Sequence, residues 1–507
     1  MNPLLLGIDI GTSACKAALF HSDGSVAAQE HVSYPVYHPA PGWAEQDPQA
    51  WWQAACTAVQ SLMQHHAVDP KSVIGVGIDG QSWSAISVSK TGKVLCNTPI
   101  WMDTRAKRIC NDLRDRLGEE QIFAVCGNPL QPSYTLPKIL WYKENLPEIY
   151  ENTDKVLQSN SYIVYRLTGE VTQDLSQCYG YHCFDMRKGK WDDALCREMG
   201  LKPSMLPDIA DCHQIVGRVT EEAARQTGLP AGIPVVAGGL DAACGTLGTG
   251  ALEEGQTQEQ GGQAGGMSIC MEEYHADPRL ILSRHVVPNR WLLQGGTVGG
   301  GGVLRWFEEQ LGEAERKSAA ENRTASLREM DILAEAVPPG AEGLLFLPYM
   351  AGERSPVWNA HAKGVFYGLD FSKTRGHLIR ACMEGVAYSL RHNLMVAAEA
   401  GAKVERLRAV GGAANSRLWT QMKCDITGKP IDVPAADTAT TLGAAILGGV
   451  ACGLYRDFTH AVAETVKIRR SHQPDQRTAR QYDASFQGYL KLYECLKTMM
   501  TGERTIT

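Results

Sequence analysis

Three short stretches set acids, hydroxyls and glycines where apolar runs end. Asp9-Ile10-Gly11-Thr12-Ser13 closes the run Leu4–Ile10. A turn with two hydroxyls and free backbone N–H groups can cradle phosphate oxygens, and an acid at a strand end can hold Mg²⁺ directly or through water. Lys16 would add positive charge to the same phosphates. A plain β-turn with Asp9 as a solvated acid accounts for these residues equally well. Gly238-Gly239-Leu240-Asp241 follows the apolar stretch Ile233–Ala237 and opens a run of small residues. An aspartate at that corner can accept a proton from a substrate hydroxyl, or it can simply cap a helix, the commoner use of Asp there. Val410-Gly411-Gly412-Ala413-Ala414-Asn415 lies between a predicted strand, Arg406–Val410, and a predicted helix, Arg417–Ile426. It reads either as a nucleotide loop on a helix N-terminus or as a tight strand–helix connection.

Other patterns fail on context. Gly75-Val-Gly77-Ile-Asp-Gly80 matches the dinucleotide spacing, with Asp103 about 20 residues on, but the residues after Gly80 read as strand where a helix is needed. Gly80-Gln81-Ser82-Trp83-Ser84 misses the nucleophile elbow by one residue. A P-loop sequence is absent.

The elements that must position these residues are legible at the N-terminus. Leu4–Ile10, Cys15–Phe20 and Val26–Val32 predict an antiparallel meander, with Asp23-Gly24 as a hairpin turn. Asp47 and Pro48 predict the start of an amphipathic helix over Trp51–Met63, and Val73–Ile78 a further strand. Thr257–Glu259, the loop Gly261–Gly266 and Met267–Met271 repeat the strand–turn–strand theme, and Arg290–Leu293 reads as another strand. This weak duplication predicts two related α/β domains with a cleft between them. The split is expected near residues 250–256. Gly312–Arg328 reads as one exposed helix, and Ala479–Met499 as the last.

Composition narrows the function. The 507 residues carry 49 basic and 56 acidic side chains, a net charge of −7, which offers no basic footprint for nucleic acid. No apolar run reaches 18 residues, so no membrane span is expected. The opening residues lack a basic region before an apolar one, which predicts no secretory leader. Fifteen scattered cysteines without metal spacing predict free thiols of a reducing cytoplasm. The 51 glycines cluster at the ends of apolar runs.

Taken together these residues resemble the FGGY family of carbohydrate kinases, within the actin, hexokinase and Hsp70-like (ribonuclease H-like) fold. The resemblance runs over nearly the whole chain. Its sharpest part is Gly364-Val-Phe-Tyr-Gly368-Leu369, followed by His377-Leu378, Ala381 and Met383-Glu384-Gly385, with Cys382 as a departure. Tyr349-Met-Ala-Gly352-Glu353-Arg354-Ser355-Pro356 is similar to a second family stretch. The resemblance implies an N-terminal domain, 1–252, with the sugar site, phosphate tip and catalytic acid. It implies a C-terminal domain, 253–507, that binds ATP and ends in a helix.

Position by position, the resemblance makes Asp241 the base that deprotonates the sugar hydroxyl and Asp9 the acid near Mg²⁺. Thr12 and Ser13 match the phosphate-binding tip, and Lys16 a basic position facing ATP. Gly301 and Arg305 match positions beside the nucleotide, and Gly412, Ala413 and Asn415 the adenosine loop. Two places depart. Xylulokinases, the nearest subgroup, carry G-Q-M-H-G where this chain has Gly80-Gln81-Ser82-Trp83-Ser84; Trp83 there would offer a stacking face and one N–H donor. The second phosphate tip reads Gly262-Gln263-Ala264-Gly265 and has lost its hydroxyl. Asp103, in Trp101-Met-Asp103-Thr-Arg105, either contacts a sugar hydroxyl or pairs with Arg105. The resemblance therefore implies an ATP- and Mg²⁺-dependent cytoplasmic kinase of a small sugar or polyol, a ketopentose first. D-Ribulose, L-ribulose, gluconate and glycerol are rivals, and a nucleotide-binding sugar sensor is the reading from another class. A homodimer is expected from the family alone.

Overall fold

A computed structural model describes residues 2–66 and 68–501 of the chain. They form two compact units. The first contains Met1–Leu252, Glu272–Leu292 and Thr438–Val466; the second contains Glu253–Met271, Leu293–Asp437 and Lys467–Thr507. The chain first changes unit between Leu252 and Glu253, then returns twice.

In the first unit the strands Leu4–Ile10, Ala14–Phe20 and Val26–Ser33 form the expected antiparallel meander. The first strand is buried along its whole length, as its unbroken apolar run requires. Val73–Gly80 lies parallel to it on the other side, followed by Pro234–Val236 and the short strand Gly239–Leu240. After Gly80 the chain turns into another strand, Ile86–Val88, with no helix between, so the dinucleotide pattern has no dinucleotide context. The helix Pro48–His65 starts where expected, with Pro48 at its first position and the Asp47 carboxylate accepting from Gln49 N–H. It lays Trp51, Ala55, Val59 and Leu62 on the sheet.

The helix Ala439–Ala451 approaches so closely that side chains are excluded. A Cβ on Gly77 would lie 1.9 Å from the Ala444 carbonyl oxygen, and one on Gly443 would lie 1.8 Å from that of Cys244. Part of the glycine excess therefore serves helix packing rather than a ligand.

The second unit repeats the theme. Gln256–Gly261 and Gly265–Met271 form an antiparallel hairpin, and Arg406–Val410 runs parallel to its first strand. Ile431–Pro434 and Ile468–His472 extend that side of the sheet. The duplication read from the sequence is thus a shared topology of hairpin plus parallel neighbour. The expected single helix over Gly312–Arg328 is instead two, Glu313–Asn322 and Ser326–Glu335. Arg323 takes a left-handed conformation at φ 53° and ends the first, a break that its residue type did not announce. The last helix runs Gln476–Leu496.

All fifteen cysteines are free thiols. Among the described residues, no helix is long and apolar enough to cross a membrane.

Candidate functional site

Parallel strands bring three acids level at their ends in the first unit. Asp9 is in register with Asp79 on the neighbouring strand, and Asp79 with Gly239, two residues before Asp241. Such strand ends are where open α/β sheets place ligands. Asp9 is 3% exposed, and its carboxylate accepts from Lys16 Nζ at 3.1 Å and from Thr440 Oγ1 at 3.3 Å. The Asp9 carboxylate is the main cause that holds the Lys16 ammonium above its usual range.

Asp241 is the first residue of the helix Asp241–Gly248, after Leu240 at the cap position; its Oδ1 accepts from its neighbour Ala242 N–H at 2.6 Å. Leu240 is thus the cap residue, while the Asp241 carboxylate holds one of the free N–H groups of the first turn. Enclosure in the protein, and then the Asp9 carboxylate, push Asp241 up to about 7. A carboxylate poised there can take a proton near neutral pH.

Asp79 falls inside the glycine pattern that lacks a dinucleotide context. It is fully buried, and burial followed by Asp9 and Asp241 pushes it well above the carboxylate range. Strand register alone brings it beside the other two.

The Gly11-Thr12-Ser13 tip is held from several sides. Tyr34 OH donates to Gly11 O at 2.6 Å, Gln46 Nε2 to Thr12 O at 2.8 Å, and Trp101 Nε1 to Thr12 Oγ1 at 2.9 Å. Gln81 is buried behind it and donates to Gln46 Oε1 at 2.8 Å, so its amide supports the tip. Ser13 is exposed and Ser82 half-buried.

Trp83 corrects an expectation. It is 5% exposed and stacks on Tyr134 with ring centres 4.2 Å apart, so that face is closed to a sugar. Its backbone sits at φ 65°, rare for a bulky residue. Gln158 Oε1 accepts from its N–H, and buried Lys138 donates to its carbonyl at 2.9 Å and to that of Ile100 at 2.8 Å. Burial pulls Lys138 down to about 7.

Asp103 is also buried. Its carboxylate accepts from Arg105 Nε at 3.0 Å, Arg105 Nη2 at 2.8 Å and Ala44 N–H at 2.7 Å. The geometry is the salt bridge rather than an open sugar contact, and Arg105 further pairs with Glu45.

The second unit gathers residues far apart in sequence around a cavity of about 270 Å³. Its lining includes Gly262, Gln263, Gly301, Arg305, Gly412 and Ala413. Gly301 N–H donates to Gly262 O at 2.7 Å and Gly302 N–H to Gln263 O at 3.0 Å, fixing the two glycine loops together. Leu304, Leu327, Met330 and Trp419 give the cavity an apolar side suited to a flat ring. Asn415 lies apart from this lining: it is exposed, and its Oδ1 accepts from Arg469 Nη2 at 3.0 Å.

Two buried groups support the glycine loops, one from the second family stretch and one that no sequence motif marked. Glu353 accepts from Val298 N–H and Arg354 N–H, each at 2.8 Å, and burial pushes it up to about 7. Lys423 pairs with Glu259 at 2.5 Å beside Gly261. Among the described residues, no group of three or more His, Cys, Asp or Glu side chains could hold a metal ion. An ion at Asp9 would rest on carboxylate oxygen and on phosphate or water oxygens, a donor set that suits Mg²⁺.

Comparison with known proteins agrees with this architecture. Residues 4–248 match the N-terminal domain, and residues 271–452 the C-terminal domain, of the FGGY family of carbohydrate kinases. The chain is 31% identical to the xylulose kinase of Escherichia coli over 98% of this chain and 100% of that one. It is 29% identical to the gluconokinase of Bacillus subtilis over 99% and 98% of the two chains. The crystal structure of xylulose kinase from Rhodospirillum rubrum superposes with a TM-score of 0.90 at 30% identity, covering 98% of this chain and 99% of that one.

Proposed function

Because the chain belongs to the FGGY family of carbohydrate kinases, we propose that it transfers the γ-phosphate of ATP to a hydroxyl of a small ketose, a ketopentose such as D-xylulose. The observation that carries this reading is Asp241, an acid at a strand end pushed up to about 7 by enclosure and by Asp9. Asp241 takes the hydroxyl proton as the sugar oxygen bonds to the γ-phosphorus. The bond from that phosphorus to the bridging oxygen breaks, and ADP leaves with the electron pair. Such a transfer needs positioning and charge neutralisation more than covalent help. Lys16 and the Gly11–Ser13 tip neutralise and orient the phosphate, and the cavity lined by Gly262, Gly301 and Gly412 takes the nucleoside. Mg²⁺, held at Asp9, would supply charge neutralisation on the phosphate oxygens.

Gluconate is the second candidate, on the strength of the gluconokinase relative and of the Ser82-Trp83 departure. A coupled ADP-release assay over pentuloses, hexuloses, polyols and sugar acids tests the reading. Turnover with D-xylulose well above all others is expected; turnover with none of them would sink it.

A further inference from the structure

Thr12 has one hydroxyl proton, and Trp101 decides where it points. Indole Nε1 is a donor only, so at 2.9 Å it must occupy a lone pair of Thr12 Oγ1. The Thr12 proton is thereby turned away from the indole, toward Gln81 Oε1 at 3.5 Å. That distance is at the limit of a hydrogen bond, so the proton is held loosely and is available to a stronger acceptor. A phosphate oxygen is such an acceptor, because hydrogen bonds to charged groups are about twice as strong as neutral ones.

The indole is itself anchored. Its neighbour Ile100 accepts from buried Lys138, and Asp103 two residues on is locked to Arg105 and Ala44 N–H. Gln46 and Gln81 fix the backbone of the same tip, donating to Thr12 O and Gly11 O. The hydroxyl is therefore oriented by a rigid donor 89 residues away in sequence.

We propose that Trp101 is a positioning residue for phosphoryl transfer, orienting the Thr12 hydroxyl to donate to the terminal phosphate of the nucleotide. This rests on the kinase reading above.

The test uses the full chain with Trp101→Phe, which keeps a ring and removes the N–H, together with Thr12→Val, Thr12→Ser and the double variant Trp101→Phe/Thr12→Val. Binding of a non-hydrolysable ATP analogue and of ADP, each with Mg²⁺, is measured by calorimetry alongside KM for both substrates. Trp101→Phe is expected to weaken the ATP analogue about ten- to hundredfold, the size of one hydrogen bond to a charged group, and to leave ADP and the sugar KM within twofold. Thr12→Val should match it, Thr12→Ser should restore binding, and the double variant should be no worse than the poorer single one. Additive losses, an unchanged analogue affinity, or equal weakening of ADP by Trp101→Phe and Thr12→Val would overturn the proposal. If the native chain phosphorylates no sugar, the kinase reading falls, while the analogue-against-ADP difference still judges Trp101.

Discussion

Lys423 and Glu259, 164 residues apart, meet at 2.5 Å inside the second unit, with their side chains 2% and 5% exposed. The pair lies beside Gly261, where the glycine tip begins. Removing one partner leaves a buried charge without compensation, which is far costlier than removing both.

Lys423→Met should therefore lower stability by about 3–5 kcal/mol. Lys423→Met combined with Glu259→Met should recover most of that loss. Urea unfolding of the full chain, followed by circular dichroism, reads both; a double variant as unstable as the single would refute the argument.

Asp241→Asn keeps the shape of the side chain and removes the base. Its kcat should fall about 10²- to 10⁴-fold, the usual worth of general base catalysis, while the nucleotide still binds. Near-normal turnover in the ADP-release assay would remove Asp241 from its role.

Asp241 also sets a pH dependence. With the carboxyl raised from 3.8 to about 7, the base is protonated in acid, so kcat/KM should climb about tenfold per unit toward pH 7 and then level. Stability from this group runs the other way. The folded chain binds the proton more tightly than the unfolded one, so this contribution is full below pH 3.8 and is lost as pH rises through about 7. Profiles of kcat/KM and of thermal midpoint between pH 5 and 9, native against Asp241→Asn, separate the two effects.

Gly301→Ala probes the cavity. Its Cβ would stand 2.7 Å from the Gly262 carbonyl oxygen, so the two glycine loops must move apart. Strain of about 1–2 kcal/mol should raise the KM for ATP roughly five- to thirtyfold and spare that for the sugar. Equal rises for both substrates would show general damage instead.

Local signals proved readable. Asp47-Pro48 starts a helix, Asp23-Gly24 turns a hairpin, and the run Leu4–Ile10 is a buried strand. Such features depend on neighbours a few residues away, and residue type carries them. The break at Arg323 shows the boundary of that method, since a helix-forming residue there adopts a left-handed conformation.

The candidate site divides in the same way. Acids, hydroxyls and glycines at the ends of apolar runs marked Asp9, the Thr12 tip, Asp241 and the Gly411-Gly412 loop without coordinates, and the family resemblance added Gly262 and Gly301. Tertiary structure decided what surrounds them. Asp79 became a neighbour of Asp9 through strand register, Trp83 lost its open face to Tyr134, and Asp103 was committed to Arg105. Only folding gathered Gly262, Gly301 and Gly412 around one cavity, and only folding set the Trp101 donor on Thr12. The reason is physical: turn and strand preferences act over a few bonds, whereas register, stacking and ion pairing depend on which distant surfaces are buried together.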